Sequence, residues 1–305
     1  MCSKIFDQPG NTPVEYIDTF ENNIQLFVKR EDLIHAEISG NKWRKLKYNL
    51  AEAGNLGYTR VITFGGAFSN HIHATAAAGA ACDLDTVGII RGEIIEPLNA
   101  TLRQSKEWGM RLQSISREQY KKKSDPEYLD RLQNKFGPAY IIPEGGANQL
   151  GLKGVSEMTE ISDRFNFWCV SCGTGTTLAG LVTGLSKNEV VLGFPALKGG
   201  EYLEHEIDKL LRKAGTNPKV SWELFTNYHF GGYAKISEEL IEFIRMFRNS
   251  YGIILDPIYT GKMLFGVVDL IVNGYFPAES RILAIHSGGL QGVTGIEEKY
   301  GIRIK

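Results

Sequence analysis

Short apolar runs alternate with longer amphipathic stretches through most of this 305-residue chain. An opening of polar and turn residues leads to a strand at Ile24–Lys29, and the runs at 60–64, 86–90 and Tyr140–Ile142 also read as strands. Between and after them, helical spacing predicts helices over 69–80, 95–108 and 149–163. Past residue 165 the alternation restarts, with strands expected near 166–170, 189–194, 221–225 and 281–285. Short buried strands separated by helices mean parallel sheet covered on both faces. The fold class is therefore α/β. Two series of strands predict two doubly wound α/β domains with a cofactor cleft between them. Residues 1–54 and 156–305 are expected to form the larger, cofactor-binding domain, and 55–155 a smaller inserted one.

A lysine-rich helix precedes the first complete series. In Ser39-Gly40-Asn41-Lys42-Trp43-Arg44-Lys45-Leu46-Lys47-Tyr48-Asn49-Leu50, Ser39 or Asn41 reads as the cap. Trp43, Leu46, Lys47 and Leu50 recur at helical spacing and should face inward. Lys42 and Lys45 are three apart and share a face. The helix dipole and a second ammonium both disfavour protonation of Lys42, and an unprotonated amine is a nucleophile. Lys45 is expected to keep its charge and to suit an anion. Such a pair fits a Schiff base to an aldehyde with a phosphate close by, although a basic helix face is more commonly solvated surface.

The second half supplies a phosphate cradle. Strand 166–170 ends in Ser171-Cys172-Gly173-Thr174-Gly175-Thr176-Thr177, with a helix continuing from Leu178. Glycines let successive amides converge on one anion, threonines add hydroxyl donors and the helix N-terminus adds its dipole. A dinucleotide fingerprint would need glycine where Leu178 stands, and a P-loop needs Gly-Lys-Ser/Thr, so neither is present. What remains is a cup for one phosphate monoester, or an ordinary glycine-rich turn. Two further strand-end loops, Gly65-Gly66-Ala67-Phe68-Ser69-Asn70-His71 and His286-Ser287-Gly288-Gly289, offer hydroxyl, amide and imidazole groups.

Composition narrows the partners. A formal net charge of −1 gives no basic footprint for nucleic acid or an anionic membrane surface. No run of 18 apolar residues occurs. The expected setting is the cytoplasm. Cys169 and Cys172 form a C-x-x-C, but Cys169 lies in an apolar strand and no second ligand pair follows at zinc spacing, so buried thiols and no metal are expected. Lys121-Lys122-Lys123 reads as a solvated helix face.

In order and spacing, these motifs resemble the tryptophan-synthase-β-like, fold type II, pyridoxal-phosphate enzymes. The chain is most similar to the 1-aminocyclopropane-1-carboxylate deaminase/D-cysteine desulfhydrase family. The resemblance spans essentially the whole chain. It is carried by Val28-Lys29-Arg30-Glu31-Asp32, Gly40 to Leu46, Ser69-Asn70-His71, Gly173 to Thr176, Asp256-Pro257-Ile258-Tyr259-Thr260-Gly261-Lys262 and His286 to Gly289. It implies pyridoxal 5'-phosphate as cofactor, a small amino-acid substrate and a homodimer. Lys42 would be the Schiff-base lysine, Asn70 would bond the ring 3′ oxygen, and Gly173, Thr174, Gly175, Thr176 and Thr177 would hold the phosphate with help from Lys45. Ser69 would bind the substrate carboxylate, assisted by amides near Asn70 and His71, while Tyr233 and Tyr259 would face the substrate.

The residue after Tyr259 bears on the reaction. Family members that open the cyclopropane ring carry glutamate there, which favours a protonated pyridine nitrogen. Desulfhydrase-like members carry threonine there and a hydroxyl residue before the last Gly-Gly, as Thr260 and Ser287 do here. The resemblance thus favours β-elimination from D-cysteine over ring opening of 1-aminocyclopropane-1-carboxylate. The chain departs from the family at Phe68, where glutamine is usual, and at His73-Ala74, where Arg-Gln is common. These positions border the substrate loop, so Phe68 is expected to shape the pocket. A pyridoxal-phosphate-binding protein without turnover and an amino-acid racemase are the other readings.

Overall fold

The computed structural model describes residues 3–186, 188–215 and 217–304. Among the described residues, ten strands form two sheets. The first contains β1 (Val14–Phe20), β2 (Ile24–Lys29), β7 (Phe167–Cys172), β8 (Val190–Pro195), β9 (Ser221–Leu224) and β10 (Arg281–Ile285), in the order β1-β2-β10-β7-β8-β9. β1 runs antiparallel to β2 at one edge, and every other pair is parallel. The second sheet is wholly parallel, ordered β5-β4-β3-β6. It is built from β3 (Arg60–Gly65), β4 (Asp85–Arg91), β5 (Arg111–Ile115) and β6 (Tyr140–Ile142). Helices cover both faces, and β7, β8 and β10 are buried beyond their first residue, which is why their sequences run apolar instead of alternating.

Several elements depart from their sequence pattern. The opening stretch supplies β1, and β5 is a further strand. Its alternating, half-polar sequence suits a partly exposed edge. The helix expected over 95–108 is confined to Ala100–Glu107. Pro97 lies before it, and Asn99 caps it by accepting the Leu102 amide. The helix expected over 149–163 stops at Ser156 and continues only as a 3-10 turn, Glu157–Thr159. Lys121-Lys122-Lys123 is not a helix face. It forms turns after the one-turn helix Arg117–Tyr120, and Lys123 folds back onto Glu144 at 3.3 Å.

The lysine helix, Asn41–Asn55, packs between the two sheets' helices. Trp43, Leu46 and Leu50 point into the core as expected, but Lys47 does not. It pairs with Glu157 at 2.7 Å, and Arg44 grips both the buried Glu31 and Glu157. At about 100° per residue, Arg44 stands about 200° around the helix from Lys42. These pairs therefore fix the helix's rotation and turn Lys42 and Lys45 the other way. The partner helix Gln149–Ser156 comes very close: a Cβ on Gly154 would lie 1.9 Å from the Arg44 carbonyl oxygen. Gly154→Ala is expected to destabilise the fold by about 1–3 kcal/mol, the usual range for forced overpacking. Denaturant unfolding followed by fluorescence measures this, and an unshifted midpoint would refute the close crossing.

Candidate active site

In a parallel sheet, loops at the carboxyl ends of the strands are where ligands bind. Here β3 ends in the Ser69 turn, β6 in Glu144–Gly146, β7 in the glycine-threonine cup and β10 in Ser287-Gly288-Gly289. All four border one cavity of about 1070 Å³. Because β7 and β10 are neighbours, the cup and the Ser287 loop meet, with Ser171 and Ser287 hydroxyls 3.3 Å apart.

Lys42 and Lys45 both line this cavity. Neither Ser39 nor Asn41 caps their helix. The cap is Gly40, at φ 65°, and it makes no side-chain cap bond. A Cβ there would fall 1.9 Å from the Ser287 carbonyl oxygen, so only glycine allows the lysine helix to start against the Ser287 loop. Asn41 does something else. Its Nδ2 donates to Thr177 Oγ1 at 2.8 Å and its Oδ1 accepts from Lys42 Nζ at 2.9 Å. One side chain thus links the lysine to the cup.

The Lys42 ammonium is disfavoured, as expected, but mainly by burial. Burial lowers its pKa to about 8, and Asp256 partly opposes the fall. Lys45 departs from expectation more sharply. Burial first, then the Lys42 charge, depress it well below its ordinary value, so in the protein alone it does not hold its charge comfortably. A phosphate dianion would reverse that balance.

In the cup, Gly173, Thr174, Gly175 and Thr177 line the cavity. Thr176 is fully buried behind them, with its hydroxyl 2.8 Å from that of Thr174. Gly175 takes φ 74° as the cap of the helix Thr176–Gly184. Cys172 also lines the cavity as a buried free thiol, pushed up to about 12 by burial, and Cys169 is free and buried in the strand.

On the opposite wall stand Ser69, Asn70 and His71. Ser69 caps the helix Asn70–Cys82, accepting the Ile72 amide. Asn70 Oδ1 accepts from Gln291 Nε2 at 2.6 Å, which leaves Nδ2 as its donor. His71 is buried with Nε2 2.9 Å from Thr63 Oγ1. Burial and the two lysines hold it well below its ordinary pKa, so it is neutral. His73 packs edge-on against Trp108 inside the fold.

Tyr233 and Tyr259 line the cavity with ring centroids 6.0 Å apart. Burial pushes Tyr233 up to about 12 and holds Tyr259 well above its ordinary value, so both are neutral phenols. Tyr259 is held by a carboxylate: Asp256 Oδ1 accepts the amides of Ile258 and Tyr259, and Oδ2 that of Thr260. Tyr233 donates to the Phe68 carbonyl at 3.1 Å. Lys262 Nζ ties down the loop before Tyr233 through the carbonyls of His229 and Gly232, both at 2.8 Å.

Two expected site residues lie elsewhere. Phe68 does not line the cavity; its ring rests against Gly295, and only its backbone reaches Tyr233. Thr260 is also outside the lining, although its hydroxyl is buried and meets no hydrogen-bond partner. Asn41, Asp256, Lys262 and Gln291 are structural contributors that their sequence context did not single out for these tasks. A side-chain amide two residues after a strand-end loop, as in Gln291, is the kind of signal that could have been noticed.

The residues fit pyridoxal 5'-phosphate. A paired lysine set sits beside a glycine cup whose opening a Cβ at Gly173 would narrow toward Tyr259, and the Ser287 hydroxyl joins the same lining. Comparison with known proteins agrees. Residues 5–288 match the family model described as pyridoxal-phosphate dependent enzyme. A putative 1-aminocyclopropane-1-carboxylate deaminase from Pyrococcus horikoshii is 35% identical, over 95% of this chain and 93% of that protein. The bifunctional, mitochondrial D-cysteine desulfhydrase/1-aminocyclopropane-1-carboxylate deaminase of Arabidopsis thaliana is 33% identical over 89% of this chain and 74% of its own. A crystal structure of a 1-aminocyclopropane-1-carboxylate deaminase homologue superposes with a TM-score of 0.82 at 32% identity, covering 98% of this chain and 97% of that one. The chain is a pyridoxal-phosphate-dependent lyase of fold type II and belongs to the 1-aminocyclopropane-1-carboxylate deaminase/D-cysteine desulfhydrase family.

Proposed function

We propose that the protein is a deaminating lyase of D-cysteine type: D-cysteine and water give pyruvate, ammonium and hydrogen sulfide, with one C–S and one C–N bond broken. The observation that carries this reading is the absence of a free carboxylate where a ring nitrogen would seek one. Both oxygens of buried Asp256 accept backbone amides, Ser287 brings a neutral hydroxyl to the cavity, and Thr260, outside the lining, carries no charge. Bound pyridoxal phosphate would store the electron pair released at the substrate's α-carbon, and a neutral nitrogen partner makes that store weaker, which suits expulsion of a thiolate.

The chain's own groups divide the remaining work. Lys42 holds the cofactor and then moves the α-proton as a neutral amine. Ser69 and the helix amides after it bind the α-carboxylate at a helix N-terminus. Asn70 donates through Nδ2, Gly173 to Thr177 take the phosphate with Lys45, and the two phenols face the departing group. The proposed division of the chain is 1–54 with 156–305, and 55–155. The family resemblance supports a homodimer, and the proposed setting is the cytoplasm.

The test is release of 2-oxo acid and sulfide from D-cysteine, L-cysteine and 1-aminocyclopropane-1-carboxylate by purified holoprotein. Thiolate elimination from D-cysteine is expected to be fastest. Faster 2-oxobutanoate release from the cyclopropane would make the protein a ring-opening deaminase and sink the reading from Thr260.

A further inference from the structure

The cleft has a second polar end, away from the phosphate cup. Arg91 closes β4 at its carboxyl end, beside the end of β3 that carries the Ser69 turn. Its guanidinium lies against that turn: Nη2 is 3.7 Å from the place a Cβ on Gly66 would take, and Ser69 donates its amide to the Gly66 carbonyl. Arg91 also lines a smaller basic hollow of about 460 Å³, together with Arg117, Tyr120, Lys121 and Lys123. Both Arg91 and Lys123 belong to the lining of the main cavity as well, so the hollow opens off the cleft beside the proposed carboxylate-binding turn.

Tyr120 is the centre of this hollow. Arg91 Cζ stands 5.5 Å and Lys123 Nζ 5.1 Å from its ring centroid, within cation–π range. The residue is only 3% exposed, yet its hydroxyl meets no hydrogen-bond partner. The Glu144 carboxylate, which Lys123 holds at 3.3 Å, is the group beside this hydroxyl. Arg91, Arg117 and Lys121 make no ion pair among the described residues. The local surplus is positive charge, which an oxyanion would answer.

We propose that Arg91, with Arg117 and Lys121 beside it, forms an anion subsite that takes a carboxylate on the β-substituent of the amino-acid substrate. The inference rests on the β-elimination reading and narrows its substrate class to cysteine thioethers with an acidic tail. Elimination then balances as RS–CH2–CH(NH3+)–COO− plus water giving RSH, pyruvate and ammonium, the leaving thiolate taking one proton. Ser69 and the adjoining amides would hold the α-carboxylate, and Arg91, whose guanidinium lies against that turn, the distal one. Two anion sites at fixed separation select a dicarboxylic ligand over a neutral isostere of equal size.

S-carboxymethyl-D-cysteine and S-carbamoylmethyl-D-cysteine differ by one charge and almost nothing else. Rapid-mixing titration of the holoprotein's cofactor absorbance reads their binding before turnover. The carboxylate is expected to bind about tenfold more tightly, a charge-assisted contact reduced by the exposure of Arg91. Arg91→Gln should bring the ratio close to one. Tyr120→Phe, which keeps the packed ring and removes only a hydroxyl closed off from the hollow, should leave the ratio unchanged. Equal affinities in the wild type would overturn the subsite, as would a ratio that survives Arg91→Gln or a variant that weakens both ligands alike. Selective binding without sulfur release would support the subsite while refuting β-elimination.

Discussion

Lys42→Ala is expected to lower 2-oxo acid release by about three to four orders of magnitude, the upper range for loss of a positioned proton-transfer group. The residue lies at the junction of the lysine helix and the cup, with its Nζ held by Asn41 and burial lowering its pKa to about 8. Borohydride reduction of the wild-type holoprotein followed by peptide mapping should place a pyridoxyl group on Lys42. An adduct on Lys45, or none, would refute the assignment. The pH dependence has a definite sign. An ammonium cannot attack an aldehyde, and a folded-state pKa near 8 makes the neutral amine the major form above that pH. Covalent capture of pyridoxal phosphate by the cofactor-free protein should therefore accelerate as pH rises through about 8 and then level off. An ordinary, solvated lysine would keep accelerating past pH 10.

Gly175→Ala is expected to have the second largest effect, on cofactor retention. Gly175 sits at φ 74°, where a side chain costs about 1–2 kcal/mol. Its Cβ would also stand 2.5 Å from Ile207 Cγ1, on the helix Tyr202–Lys213 behind the cup, adding an overpacking cost of about 1–3 kcal/mol. Part of that strain can be relieved only by moving the cup amides. Pyridoxal phosphate affinity should fall by roughly 30-fold or more, about 2 kcal/mol at 1.4 kcal/mol per decade. Gly57→Ala is the matched control: φ is 75° there, but nothing lies within 4 Å of the added Cβ. Equal cofactor affinity in the two variants, measured by equilibrium dialysis, would mean that the turn is not a phosphate cradle.

The lysines illustrate how local and global causes separate. Their three-residue spacing placed them on one helix face, a purely local consequence of helical geometry. Their pKa directions could not be weighed that way. The dipole and the neighbouring ammonium are local terms, but burial proved the larger cause for both, and burial depends on which loops close over the helix. Lys47 shows the same limit. Its spacing matched the apolar stripe, yet Glu157, more than a hundred residues away, draws it to the rim. Phe68 is the converse case. Its place in the substrate loop suggested a pocket residue, but Gly295 leaves room for the ring outside the cavity.

Sequence alone determined the α/β class, the parallel strands, the cup and the lysine pair, because each is written in spacing, glycine placement and runs of apolar residues over a few turns of chain. The family likeness followed from the order of those motifs. Only the tertiary structure decided that Asn41 would bridge Lys42 and Thr177, that Asp256 would spend its carboxylate on three amides, and that Gly40 would stand against Ser287. It also decided that Arg91 and Lys123 would border the cleft rather than plain solvent. The physical reason is range. Backbone periodicity is set by neighbours three or four residues apart, whereas the burial and pairing of a polar group depend on segments joined only when the carboxyl ends of two sheets converge.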